Sequence, residues 1–254
     1  MSQLTAGLAF SEVLRSGAQR TTGWSALPSP MNAGAMARGG FPAGCIDMQH
    51  GMHDEASMIA SVAAVHNAGG YPGVRIPVGR FDLASRTLDA GALLLIAPMI
   101  NTVEEARDLV AATKYPPVGA RSWGPSTARD LWEATGGDFL SVANDLTITL
   151  AMIETTQAVE QLHAILDVPG LDGVFVGPSD LSITLSEGAA LEPGAPRVLE
   201  VASAIAARAT QARKIAAVYA FDDVKAQAFF DAGFSFAAVG SDLLALKAAA
   251  KTGG

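Results

Sequence analysis

The chain has 254 residues and a single cysteine, Cys45. One thiol cannot form a disulfide framework within the chain, so a reducing, cytoplasmic setting is expected. Positive charge is also scarce. Lys and Arg total 17 against 25 Asp and Glu, a formal charge of −8. Binding a nucleic-acid backbone or an anionic lipid surface takes clustered cations, and neither partner is expected here. Long apolar runs are missing too. The longest, residues 90–100, is interrupted by Pro98 and has about half the length a membrane-spanning helix needs. The first twenty residues do not show a basic start, an apolar run and a cleavage site, the pattern of a secretory leader. G-x-G-x-x-G, P-loop, G-x-S-x-G and zinc-ligand spacings are all absent, which removes the common nucleotide, serine-hydrolase and zinc signatures.

What remains is apolar and rich in Ala, with 50% hydrophobic residues and only 17% charged. Such a chain folds rather than staying disordered, and its apolar surplus leaves material for subunit interfaces. Eight short β-branched or aliphatic runs read as buried strands: 22–27, 44–47, 73–76, 93–98, 146–153, 173–176, 215–219 and 236–239. Runs of this kind suit a parallel sheet covered on both faces. Amphipathic stretches lie between them, at 54–67, 102–113, 155–166, 197–212, 222–232 and 241–251. In 54–67, Met58, Ile59, Val62 and Val65 fall on one helix face. At 102–113, Thr102 caps the helix and Glu104 and Glu105 sit in its first turn, where the helix dipole favours acids. A βα alternation with eight strands predicts an α/β fold, the (β/α)8 barrel, as a single domain over 1–254; an open doubly wound sheet usually carries the G-x-G-x-x-G that is missing. The 114–144 segment exceeds an ordinary connection, and long connections in compact domains are usually functional.

In such barrels, chemistry sits at the C-terminal ends of the strands. Four charged residues follow apolar runs there: Asp47, Arg75, Glu154 and Asp180. A lone acid at a strand end can be a helix cap; four groups converging on one rim read as a site. Glu154 and Asp180 offer oxygen ligands without His or Cys nearby, which suits Mg²⁺ or Mn²⁺ rather than a closed Zn²⁺ site. Gly177, Pro178 and Ser179 open a helix whose free N–H groups suit a substrate carboxylate. Arg75 would neutralise developing negative charge, and His50 would act as a base whose ring Asp47 orients. His53 reads as a loop residue, His66 and His163 as surface or packing residues, and Cys45 as core. No Lys stands at a strand end, which counts against Schiff-base chemistry. Gly240-Ser241 gives only a weak phosphate-site signal.

These residues carry a resemblance. Ile46-Asp47-Met48-Gln49-His50-Gly51, Val74-Arg75-Ile76-Pro77, Leu88-Asp89-Ala90-Gly91-Ala92, Met152-Ile153-Glu154-Thr155 and above all Gly173-Val174-Phe175-Val176-Gly177-Pro178-Ser179-Asp180-Leu181 resemble the HpcH/HpaI family of metal-dependent class II pyruvate aldolases, nearly end to end. The resemblance implies a (β/α)8 barrel whose last helix is swapped onto a neighbour, in a homo-hexamer built as a dimer of trimers. It implies a divalent metal (Mg²⁺, Mn²⁺ or Co²⁺) on Glu154 and Asp180. It further implies Arg75 at the enolate oxygen, proton transfer by His50 with Asp47, and Asp89 supporting that network across a subunit interface. The implied reaction is reversible cleavage of a 4-hydroxy-2-oxo acid to pyruvate (or hydroxypyruvate) and an aldehyde through a metal-stabilised enolate. Two residues depart from the family pattern: Gln49 stands where a Glu is usual and Met152 where a Gln is usual. Three alternatives remain. One is a CoA-thioester lyase of the citrate lyase or malyl-CoA lyase type, which calls for a basic surface. The others are an oxaloacetate decarboxylase and a non-catalytic acid-binding barrel.

Overall fold

A computed structural model describes residues 1–41 and 43–252. Its first elements are α1 (Gln3–Arg15), β1 (Arg20–Ser25), α2 (Pro30–Arg38), β2 (Ala43–Asp47), α3 (Glu55–Asn67), β3 (Tyr71–Arg75), α4 (Phe81–Asp89) and β4 (Leu94–Ala97). Then follow α5 (Val103–Thr113), α6 (Ser126–Leu131), α7 (Gly136–Leu146), β5 (Ile148–Ile153), α8 (Thr156–Leu166) and β6 (Gly173–Val176). The chain continues through α9 (Pro178–Leu185), α10 (Pro196–Gln211), β7 (Ile215–Phe221), α11 (Asp223–Asp231), β8 (Phe236–Ser241) and α12 (Asp242–Thr252). The eight strands close in sequence order, and every pairing is parallel, β1 with β8 included. The expected eight-stranded α/β barrel is the observed one.

Alternation along each strand divides the core. One set of side chains, including Cys45, Leu94, Ile96, Ile148, Leu150, Phe175, Ile215 and Phe236, fills the barrel interior. The alternate set, including Ile46, Val74, Leu95, Ile153, Val174 and Val218, faces the helices. Because both faces are buried, the strands read as continuous apolar runs. Cys45 is fully buried in the interior set, as expected of a core thiol.

The helix starts follow from local chemistry. Asp54 and Thr102 each form a capping box, with Ser57 and Glu105, and Thr155 caps α8. The run expected as a strand from 146 begins two residues later, because Leu146 closes α7 and Thr147 follows as its C-cap. Helix α1 lies at the N-terminal end of the barrel, where Phe10 stacks on Tyr71 with ring centroids 4.0 Å apart. The opposite rim is left to the βα loops.

Candidate active site

Asp47 and Arg75 end neighbouring strands and are directly opposed in the β2–β3 register. Their side chains therefore leave the sheet together. They form a two-pronged ion pair, Arg75 Nε to Asp47 Oδ1 at 2.9 Å and Arg75 Nη2 to Oδ2 at 2.7 Å. The Arg75 guanidinium also lies over the Trp24 ring, 4.9 Å from its centroid. Planar pairing and stacking fix its direction in a way a lysine would not. Burial alone would raise the Asp47 carboxyl, but the hydrogen bonds and charge of Arg75 outweigh it and hold it below the usual carboxylate range.

Asp47 Oδ1 also accepts the backbone N–H groups of Gln49 and His50, at 3.0 and 3.3 Å. Asp47 thus positions the loop that carries His50 and holds Arg75. Its carboxylate is occupied by these partners and does not hold the His50 ring, which is exposed and lines the cavity at the barrel mouth.

Glu154 follows β5 and is 2% exposed. Its Oε1 accepts the backbone N–H of Met99 at 2.8 Å, and Met99 turns that N–H inward from a left-handed conformation, φ 56°. A Cβ at residue 177 would clash with Glu154 Oε2, so Gly177 leaves the space this carboxylate occupies. Burial pushes the Glu154 carboxyl up to about 7; the Met99 N–H opposes the rise, and the nearby Asp180 charge adds to it. Asp180 sits in the first turn of α9, behind Pro178 at the helix start. Because Pro178 has no N–H, the free amides of this helix start come from Ser179 and Asp180.

A cavity of about 280 Å³ opens at this rim, lined by Asp47, His50, Arg75 and the Gly177–Asp180 turn. Glu154 lies directly behind the lining, against Gly177. Of the expected site residues, the structure brings together Asp47, His50, Arg75, Glu154, Gly177, Pro178, Ser179 and Asp180. It does not bring Asp89 to them. Asp89 ends α4 just before the chain enters β4, at the barrel's other end, where Arg121 Nη2 binds it at 2.6 Å. Within one chain it cannot serve His50.

The cavity also has an aromatic wall that sequence reasoning missed: Trp24, Phe175, Tyr219 and Phe221. The available signal was an aromatic residue near the end of several short apolar runs. A second omission is a buried polar link at the same rim. Ser25 Oγ lies 3.1 Å from His53 Nε2 and donates to Asp242 Oδ2 at 3.3 Å. His53 is thereby part of the packed rim. His66 packs edge-on against Trp132, while His163 stays on the surface beside Asp167. Met152 lines the cavity, and Gln49 Oε1 is buried without a hydrogen-bond partner.

A closed parallel barrel with acids, an arginine and a helix start gathered at its C-terminal mouth has the layout of a barrel enzyme for small molecules. Residues 20–249 match the HpcH/HpaI aldolase/citrate lyase family, and the chain belongs to it. It is 36% identical over 243 residues to a hydroxypyruvate/pyruvate aldolase of Roseovarius nubinhibens, covering 95% of this chain and 93% of that one. It is 34% identical to a 2-keto-3-deoxy-L-rhamnonate aldolase of Salmonella gallinarum, covering 92% and 87%. Among solved structures, an HpcH/HpaI aldolase from Desulfitobacterium hafniense superposes with a TM-score of 0.87 at 27% identity, covering 95% of this chain and 93% of that one.

Proposed function

We propose that this protein is a divalent-metal-dependent aldolase that cleaves 4-hydroxy-2-oxo acids, reversibly, to pyruvate or hydroxypyruvate and an aldehyde. The observation that carries the reading is the buried Glu154 set beside Asp180 at the mouth that also holds Arg75 and His50. A buried carboxylate that feels the charge of a second one favours a cation shared by the two. The space that Gly177 leaves at Glu154 Oε2 fits the same purpose. Among the described residues no group of three or more His, Cys, Asp and Glu gathers as a closed site. Two oxygen donors leave the remaining positions to water and substrate, which suits Mg²⁺, Mn²⁺ or Co²⁺. When bound, the cation would supply Lewis acidity toward the keto oxygen of the 2-oxo acid.

The chain's own groups divide the remaining work. The Ser179 and Asp180 amides bind the substrate carboxylate at the α9 start. Arg75, aligned by Asp47 and Trp24, places fixed positive charge where the enolate oxygen develops. His50 takes the proton from the 4-hydroxyl during cleavage and returns a proton to C3 of the enolate, in keeping with its exposed place at the mouth. Met152 presents a thioether to the cavity where an amide is usual in the family, which removes one hydrogen-bonding group from the site. A CoA-thioester substrate finds little support: Arg75 is the one Lys or Arg among the residues lining the cavity.

We extend the reading to assembly. A homo-hexamer, with α12 packed on a neighbour, would cover the exposed Leu244 and Leu246 of that helix and would carry Asp89 to a partner's mouth. No helix among the described residues is long and apolar enough to cross a membrane, in keeping with a cytoplasmic enzyme.

The test is pyruvate release from a panel of 4-hydroxy-2-oxo acids, with EDTA and then with Mg²⁺, Mn²⁺ or Co²⁺ restored. Activity should vanish in chelator and return with metal, and borohydride with substrate should not trap the enzyme. Full activity after rigorous chelation would overturn the metal assignment.

A further inference from the structure

Phe221 belongs to two cavities. On one side it walls the reaction cavity. On the other it walls an apolar groove of about 580 Å³, formed with Pro193, Leu199, Ala228, Phe229 and Ala232, which runs from the start of α10 along α11 to the C-cap of that helix. Its backbone is unusual. Phe221 has φ 69°, in the left-handed region that a bulky aromatic residue rarely adopts. The β7–β8 register also slips between Tyr219 and Phe221. Bulges of this kind beside active sites re-aim a side chain, and an aromatic held in such a conformation points to a functional constraint.

We propose that this groove is the acceptor subsite of the aldolase, receiving the neutral, apolar tail of the aldehyde, with Phe221 as the wall the tail crosses. The inference rests on the aldolase reading and extends it to the substrate class. A continuous aromatic row leads there. Phe175 and Trp24 are 5.9 Å apart between ring centroids, Trp24 and Tyr219 5.4 Å, and Tyr219 and Phe221 5.0 Å. The groove volume falls within the range of small-molecule sites. Its one cation, Lys225, stands 5.1 Å from the Phe221 ring centroid and is paired with Asp222 at 3.3 Å. That pair is exposed to solvent and the rest of the lining is apolar, so the groove suits an uncharged tail rather than an anionic one. In the addition direction the donor's C3 loses a proton to the base and bonds to the aldehyde carbon. The aldehyde oxygen takes a proton and becomes the new hydroxyl. Only the substituent behind that carbon enters the groove.

Ala228 is exposed on α11 and lines the groove but not the reaction cavity. Ala228→Trp therefore fills the groove without touching the reacting groups. The experiment measures addition of hydroxypyruvate to glycolaldehyde, too short to reach the groove, and to 3-phenylpropanal, with Ala228→Ser as the control substitution. Ala228→Trp should raise KM for 3-phenylpropanal about tenfold with kcat little changed, leave glycolaldehyde kinetics unaltered, and keep the assembled mass of the wild type. Ala228→Ser should match the wild type with both aldehydes. Equal effects on both aldehydes, or none on either, would overturn the subsite. Loss of assembled mass in Ala228→Trp would make the groove a subunit interface and overturn it as well. If the wild type turns over neither aldehyde with any metal, the aldolase reading itself fails, and this inference with it.

Discussion

Replacing Glu154 by Gln isolates the cost of holding a desolvated acid beside Asp180 without a cation. Burial lifts the folded-state value of Glu154 from 4.5 to about 7. For an acid raised in this way, the unfolded chain releases its proton first. The penalty is absent below the unfolded value, grows as pH rises from there, and levels off above the folded value. Integrated from pH 5 to pH 8, the group costs the metal-free protein about 2.5 kcal/mol. Gln keeps an acceptor for the Met99 N–H but titrates nothing. The assay is urea unfolding of both proteins in EDTA at the two pH values. Protein concentration is matched throughout, because the stability of an oligomer depends on it. Titrating groups far from Glu154 contribute alike to both proteins and cancel in the difference, while Asp180, whose charge is part of the penalty, is counted with Glu154. The wild type should lose about 2.5 kcal/mol more than the variant across the window. Saturating Mn²⁺ should then stabilise the wild type at pH 8, because a cation binds the deprotonated carboxylate, and should do little for Glu154→Gln. Parallel pH slopes would refute the burial penalty, and equal rescue by Mn²⁺ would refute Glu154 as a ligand.

Gly177→Ala drives a Cβ against Glu154 Oε2, so Mn²⁺ affinity measured by calorimetry should fall by about tenfold or more with the circular dichroism spectrum unchanged. Arg75→Lys keeps the charge but loses the two-pronged bond to Asp47 and the stacking on Trp24; kcat should drop about a hundredfold, whereas near-normal turnover would show that charge alone suffices. Because Asp47 is held below its ordinary 3.8, its pairing with Arg75 contributes stability above that value and loses it as pH falls through the lower folded value. An Asp47→Asn variant should therefore show a shallower acid-unfolding profile than the wild type. Lys114 is 2% exposed and donates to Asn144, Thr147 and Asp172; Lys114→Met should lower stability by about 3 kcal/mol while leaving the turnover of the folded enzyme intact.

The fold was legible because this barrel writes its strands as apolar runs and its helix starts as polar caps. Gly173–Val176 coincides with the expected run, and Asp54, Thr102 and Thr155 mark their helices to within a residue. Helices α1, α2 and α4 fall outside the expected helical stretches. For α1 and α2 a signal was present, since Ser2 and Ser29 both cap and Pro30 opens α2. Helix α4 has no side-chain cap, so its start is set by packing rather than by a local residue. The end of β7 was placed two residues early for the same kind of reason. Tyr219 looked terminal, whereas the strand runs through a register slip to Phe221, a tertiary feature that leaves no local pattern.

The rim acids were legible by position, but their partners were not, and the difference is one of geometry. Sequence places Asp47 three residues before His50 and 28 before Arg75, which makes the histidine look like the natural partner. Parallel pairing reverses that order. Residues one βα unit apart come to lie side by side, while the turn after β2 delivers backbone amides to Asp47 in place of a ring. The same logic removes Asp89 from the mouth. A helix returns the chain to the barrel's other end, so a residue closing α4 can reach a rim only if another subunit presents it. An acid next to a strand's C-terminus is thus a candidate within its own chain, and an acid at a helix C-terminus is a candidate only for a neighbour's site. That makes Asp89→Asn in a mixed oligomer with His50→Ala the sharpest probe of assembly. If Asp89 serves a partner's mouth, mixing two weakly active variants restores some mouths with both groups intact, and activity rises above that of either variant alone.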